Sequence, residues 1–280
     1  MKSLRWFILL SCFVASSALM ASAQKRKPAV PQVQFSQTVF DLTAKQLPPK
    51  YLGHSLVDVW GLLNDRKKKF SQGEYETTQA WQTRLAKLKT ERLMGEVTMV
   101  SDYAFKLTNV ETTYSADAEA LTLTAQTAKS GFDSINNDSL LGFDSIQWWY
   151  NNKKAGAYVG SNAFGVKRRV QVETEQIYYL LFKPETLGKA NTLTIHDVKP
   201  ETAKVIRPQL RALLIGTPME PYIGGDKEET DATIDDPVKT LTYSFYLYFK
   251  PKAIWFYNTQ TGEVYYKADL TPKQQTESKK

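Results

Sequence analysis

The hydrophobic period of this chain changes once, at Glu96, and that change limits what it can fold into. Ahead of it, Leu56, Val59, Trp60 and Leu63 fall at i, i+3, i+4 and i+7, one stripe of a helix. The run Arg66-Lys67-Lys68-Lys69 closes that helix with cations at its negative end. Ser71-Gln72-Gly73 breaks the chain. A second helix follows, capped by Thr77 or Thr78, with Trp81, Leu85 and Leu88 as its stripe and Gly95 as its end. The spacing predicts a helical hairpin or elbow.

After Glu96 the period is two. Tyr103, Phe105 and Leu107 alternate with polar neighbours, as do Leu121, Leu123 and Ala125, and Ser115-Ala116-Asp117-Ala118 reads as a hairpin connection. Further strands are expected at 157–160, 166–172, 176–182 and 210–215. A short helix starts at Pro200 and stops at Pro208. The strongest strand signal is C-terminal: residues 240–249 and 253–258 are dense in Tyr, Phe and Trp, and Thr259-Gln260-Thr261-Gly262 turns into 263–267. Residues 34–47 read as a short strand and turn, the acid-rich stretch 224–238 as a mobile loop, and 271–280 as a frayed tail. Helices first, strands after, and no βαβ alternation give an α+β class: an N-terminal helical pair packed on a mostly antiparallel β-sheet, in a single domain spanning 34–270.

The amino terminus points to export. A basic Met1-Lys2-Ser3-Leu4-Arg5 precedes a short apolar run, and Ala21-Ser22-Ala23 offers small residues at −3 and −1, so residues 1–23 read as a cleaved signal peptide. A Pro-rich, basic leader follows over 24–33. Leu9-Leu10-Ser11-Cys12 also approaches a lipoprotein box, but the apolar run before Cys12 is short for one. Cys12 is the only cysteine, so the processed chain has none, which excludes disulfides, thiol catalysis and thiolate metal sites. The expected location is the periplasm, with the cell surface or extracellular space as alternatives, and no transmembrane segment in the processed chain.

The formal charge of the whole chain is +7, and the expected cleavage of residues 1–23 removes Lys2 and Arg5 with no acid. The remaining basic excess suits an anionic envelope component, and another envelope protein is the other expected partner. No basic stripe with interleaved aromatics points to nucleic acid.

Chemistry is sparse. His54 and His196 are the only histidines, and no Gly-x-Ser-x-Gly elbow is present. Gly53-His54-Ser55 has the residue types of a nucleophile and base, but adjacency alone cannot build a triad. Glu173 and Glu175 share one face of a predicted strand with Lys167 and Arg169, while Val170 and Val172 take the other. Oxygen ligands occur in Asp133-Ser134-Ile135-Asn136-Asn137-Asp138 and over 226–236, without EF-hand spacing. No catalytic set, metal site or cofactor is assigned. Gly131-Phe132-Asp133-Ser134-Ile135 returns as Gly142-Phe143-Asp144-Ser145-Ile146, read as two similar turns.

Aromatic side chains remain as candidates. Alternation puts Trp148 and Tyr150 on one face of a strand and Trp149 on the other. It sets Tyr246 and Tyr248 opposite Tyr243, Phe245, Leu247 and Phe249. The candidate ligand-binding residues are therefore Trp148, Tyr150, Tyr246 and Tyr248, which either pack or meet a partner. The segment Gly73-Glu74-Tyr75-Glu76-Thr77-Thr78-Gln79-Ala80-Trp81-Gln82-Thr83-Arg84-Leu85 resembles one found in exported bacterial proteins of uncharacterised function, and Ser161-Asn162-Ala163-Phe164-Gly165 fits the same family. That resemblance implies export and no particular activity. The expected function is an exported, non-enzymatic binding or structural protein of the bacterial envelope. The alternative is a periplasmic hydrolase of wall or glycan polymers using Glu173, Glu175 or a histidine.

Overall fold

The computed structural model describes residues 34–126, 128–129, 143–184 and 186–270. The fold class is α+β, and sheet predominates. Helix α1 (Leu56–Arg66) forms where expected, with Ser55 as its cap accepting from the Asp58 N–H at 3.2 Å. It buries Leu56, Val59 and Leu63. Helix α2 (Thr78–Thr90) is capped by Thr77 and buries Leu85 and Leu88. It ends earlier than expected. Gly95 serves instead as the turn between β1 (Arg92–Met94) and β2 (Val97–Thr98), at φ +50°.

The remaining strands are β3 (Tyr103–Leu107), β4 (Val110–Ser115), β5 (Ala120–Ala125), β6 (Ala128–Lys129), β7 (Asp144–Ser161), β8 (Lys167–Phe182), β9 (Thr192–Ile195), β10 (Leu210–Thr230), β11 (Val238–Asn258) and β12 (Val264–Asp269). Between β9 and β10 lies α3 (Pro200–Ile206), with Pro200 in its first turn. Seven strands form the main sheet in the order β3-β10-β11-β8-β7-β6, with β12 also beside β11. The hairpin β4–β5 takes β9 as a third strand in a small separate sheet.

Three expectations change. The strands expected at 157–160, 166–172 and 176–182 are parts of two long strands, β7 and β8. Residues 224–230 are not a mobile loop but the end of β10, paired with 240–246 of β11. Their acids cost little there because they stand along an exposed edge, and Lys239 binds Glu229 and Asp231 across it. One strand pair is parallel, β8 with β11, in a sheet otherwise antiparallel. Residues 34–47 contribute one isolated bridge, Gln46 to Glu263, rather than a strand. Phe40 and Leu47 from this segment instead cover one face of the sheet beside Leu213, Ile215, Trp255 and Tyr257.

The main core lies on the opposite face. There Leu56, Val59 and Leu63 of α1 and Leu85 and Leu88 of α2 share one buried cluster with Phe105, Leu180, Leu214, Leu247, Phe249 and Phe256. A third cluster, Tyr179, Leu181, Tyr246 and Tyr248, fills the face opposite this core further along β8 and β11. Close approach fixes the covering segment: Gly262 stands at φ +76°, and a Cβ there would sit 1.9 Å from the Leu47 carbonyl oxygen. The oxygen-rich run 133–138 and the first copy of the small repeat lie outside the described residues. Residues 1–33 and 271–280, on which the expected signal peptide, leader and tail fall, lie outside them too.

Candidate functional site

Strand β10 breaks register between Pro218 and Ile223, so Met219, Glu220, Pro221 and Tyr222 bulge from the sheet. Two prolines inside a strand make such an excursion natural, since neither can donate to a ladder. Within the bulge Tyr222 stands at φ +69°. A bulky side chain in left-handed backbone is rare and costs on the order of 1–3 kcal/mol, so its surroundings must hold it there. They do. The Tyr222 hydroxyl donates to Glu220 Oε1 at 3.2 Å, and Lys89 Nζ donates to the same oxygen at 2.9 Å. The Lys89 ammonium lies 5.9 Å from the Tyr222 ring centre, and the Phe70 ring lies 5.2 Å away. Lys89 lowers the Glu220 pKa, and Glu220 in turn raises that of Lys89. Burial raises the Tyr222 phenol.

Between this bulge and α2 lies a groove of about 380 Å³, walled by Phe70, Trp81, Leu85, Pro221 and Tyr222, with Lys67 at its rim. Trp81 is fixed by its indole N–H, which donates to the Phe70 carbonyl at 2.9 Å. Lys67 and Ile223 also border a second recess of about 370 Å³, under Trp60, Phe245, Gly224 and Asp226. Trp60 begins a ladder of rings: Trp60 to Phe245 at 4.7 Å, Phe245 to Tyr178 at 4.6 Å, Tyr178 to Trp149 at 5.7 Å. These spacings are those of favourable aromatic pairs.

The wall on the α2 side is clamped. Arg84 donates to both oxygens of Glu76, at 2.8 and 2.7 Å, and to the carbonyls of Lys69 and Ser71. The Gly73 N–H adds a further donor to Glu76. Hydrogen bonding from Arg84, then from Gly73, lowers the Glu76 carboxyl to about 2.

Sequence-predicted residues are placed elsewhere. A bulge between Gln147 and Trp149 breaks the alternation of β7, so Trp148 and Tyr150 do not share a face. Trp148 is buried in the main core against Phe35. Tyr150 is 46% exposed on the opposite face and donates to Glu175 Oε1 at 2.6 Å. Tyr246 and Tyr248 lie opposite Leu247 and Phe249 as alternation requires, but they are buried. Met219 from the β10 bulge and Phe143 pack over them. Of the four candidate rings, only Tyr150 reaches solvent.

Three of the four candidate catalytic residues are engaged. His54 is fully buried. Its Nδ1 accepts from the Ala104 N–H at 3.0 Å and its Nε2 donates to the Thr38 carbonyl at 2.9 Å, which describes a neutral ring. Burial lowers its pKa, outweighing the two backbone hydrogen bonds. His54 thus ties the covering segment to β3, while Ser55 beside it caps α1. His196 is exposed, just past β9. Glu173 and Glu175 share a face as expected. Glu173 accepts from Asn152 at 2.9 Å, and Glu175 accepts from Tyr150 and from Thr242 at 3.1 Å. Among the described residues no three metal-ligating side chains cluster, and no helix is long and apolar enough to cross a membrane.

The groove went unmarked in the sequence because its defining residue sits in a bulge. The available signal was the pair Pro218 and Pro221 inside an otherwise apolar strand. Comparison with protein-family models, with curated proteins and with solved structures returns no significant match.

Proposed function

We propose that this chain is an exported, non-enzymatic binding protein of the bacterial envelope, whose ligand lies in the groove between α2 and the β10 bulge. In this reading α1 and α2 act as a pair on the sheet, and the Arg84–Glu76 clamp fixes the groove wall between them. The observation that carries the proposal is Tyr222: an aromatic residue held at φ +69° in the wall of an apolar groove. Strain of this kind is retained where surrounding structure enforces it, and it concentrates at ligand clamps. Trp81, half-buried in the wall, offers ring surface to an apolar or sugar-like group, and the exposed Lys67 offers charge to an anionic one. Support for binding over hydrolysis of wall or glycan polymers comes from three of the four candidates for catalysis, while His196 stands exposed past β9. His54 is shut in the core with both nitrogens bonded, and Glu173 and Glu175 are held by their neighbours.

Thermal unfolding tests this with wall fragments, lipopolysaccharide and mixed oligosaccharides. A ligand at a hundred times its Kd stabilises the folded state by about 2.7 kcal/mol. The expected result is a rise in Tm with one component, diminished by Trp81→Phe and by Lys67→Glu but retained in Tyr150→Phe. A rise unaffected by the two groove variants, or none with any component, would overturn the assignment.

A further inference from the structure

Past Gln171, β8 has no β11 partner, so the last four pairs of β7 and β8, Tyr158–Val170 to Ser161–Lys167, stand free of the sheet. At about 3.4 Å per residue this hairpin projects on the order of 13 Å before its turn. The turn is rigid. Asn162 Oδ1 accepts from the N–H groups of Phe164 and Val166, each at 3.0 Å, and the Asn162 carbonyl accepts from Gly165 N–H, also at 3.0 Å. Gly165, at φ +77°, completes the reversal. What the turn presents is apolar: Phe164 is 92% exposed and Val159 69%, with Tyr158 and Val166 exposed beside them.

Charge accompanies the apolar tip. Residues 151–172 contain Lys153, Lys154, Lys167, Arg168 and Arg169 and no carboxylate. All five cations are exposed, and none is ion-paired among the described residues. The acid-bearing β10–β11 turn ends beside the base of the hairpin, where the Gln171 N–H donates to the Pro237 carbonyl at 2.9 Å, and Asp231 of that turn is bound by Lys239. An aromatic apex on a protruding hairpin, collared by unpaired cations, matches a planar, deformable surface that is apolar within and anionic at its boundary. We infer that the β7–β8 hairpin docks the protein on an anionic lipid bilayer. Phe164 and Val166 enter the interface, while Lys167, Arg168 and Arg169 contact headgroups. This surface is separate from the groove and does not depend on what the groove binds.

The test is co-sedimentation of the purified protein with vesicles of phosphatidylethanolamine and phosphatidylglycerol, against vesicles of phosphatidylcholine alone. The account expects binding to the anionic vesicles only, released by high salt. Replacing Lys167, Arg168 and Arg169 together by Glu should weaken it at least about a hundredfold, since each cation near such a surface is worth roughly a factor of five. Phe164→Ser should weaken it about tenfold, by removing apolar area from the interface. These side chains are exposed, so Tm should not move, and an unchanged Tm establishes that the variants are folded. Lys204→Glu, on the exposed side of α3, should bind vesicles almost as tightly as the unaltered chain. No binding to the anionic vesicles, or binding indifferent to both hairpin changes, overturns the inference. So does a Phe164→Ser effect that proves to be loss of self-association in sedimentation velocity.

Discussion

Strand β8 is two strands in physical terms. From Ile177 to Phe182 it reads Ile-Tyr-Tyr-Leu-Leu-Phe, and nearly every residue is buried. Tyr178, Leu180 and Phe182 face the helices, and Tyr179 and Leu181 face the tyrosine cluster. From Lys167 to Gln176 the same strand is polar except for Val170 and Val172, and only Val170 is buried. The change coincides with the reach of other elements. Where α1 and the β10 bulge cover the sheet, both faces can be apolar; beyond them the ladder continues with water on each side. Backbone pairing alone thus carries the sheet further than its core does, and the exposed end is left free for contact.

Substitution on the two sides of that line should differ most in stability. Phe249→Ala empties a fully buried site in the main core and should cost about 3–5 kcal/mol in denaturant unfolding. Val172→Ala, in the half-buried extension, should cost about 1 kcal/mol or less. Equal costs would erase the distinction.

The packed region should also carry more of the acid sensitivity. His54 is neutral when folded and its pKa is lowered by burial. The unfolded chain binds the extra proton first, so stability is full above the ordinary histidine value near 6.5 and declines as pH falls below it. His54→Gln should be less stable than the unaltered chain at pH 8 and should lose that part of the pH slope. An unchanged slope between pH 7 and 5 would remove His54 from the account.

The smallest effect is expected at the surface clamp. Glu76 titrates at about 2 when folded, against 4.5 as its ordinary value, through its bonds from Arg84 and Gly73. Its contribution is present above pH 4.5 and is lost as pH falls toward 2. Glu76→Gln should therefore be modestly less stable at pH 7 and indistinguishable near pH 2. Because the pair is only half-buried, added salt should shrink the difference further.

Much of the scaffold was legible because it rests on local periodicity. The stripe of α1, the caps at Thr77, the β4–β5 hairpin and the common face of Glu173 and Glu175 follow from spacing alone. What escaped depends on residues distant in sequence or on broken alternation. The parallel pairing of β8 with β11 joins strands more than fifty residues apart, with nothing local to mark it. One bulged residue in β7 sends Trp148 into the core, and four in β10 both bury Tyr248 and create the groove. The acids of 224–230 looked like a loop because composition does not show that an exposed edge strand tolerates them.

Hydrogen exchange read segment by segment in the free protein tests the division of the sheet most directly. Amides of 177–182 should exchange only by global unfolding, and those of 158–161 and 167–170 at least about a hundredfold faster through local opening. Equal protection along all of β8 would contradict the account, because it would mean that the extension is packed as firmly as the core.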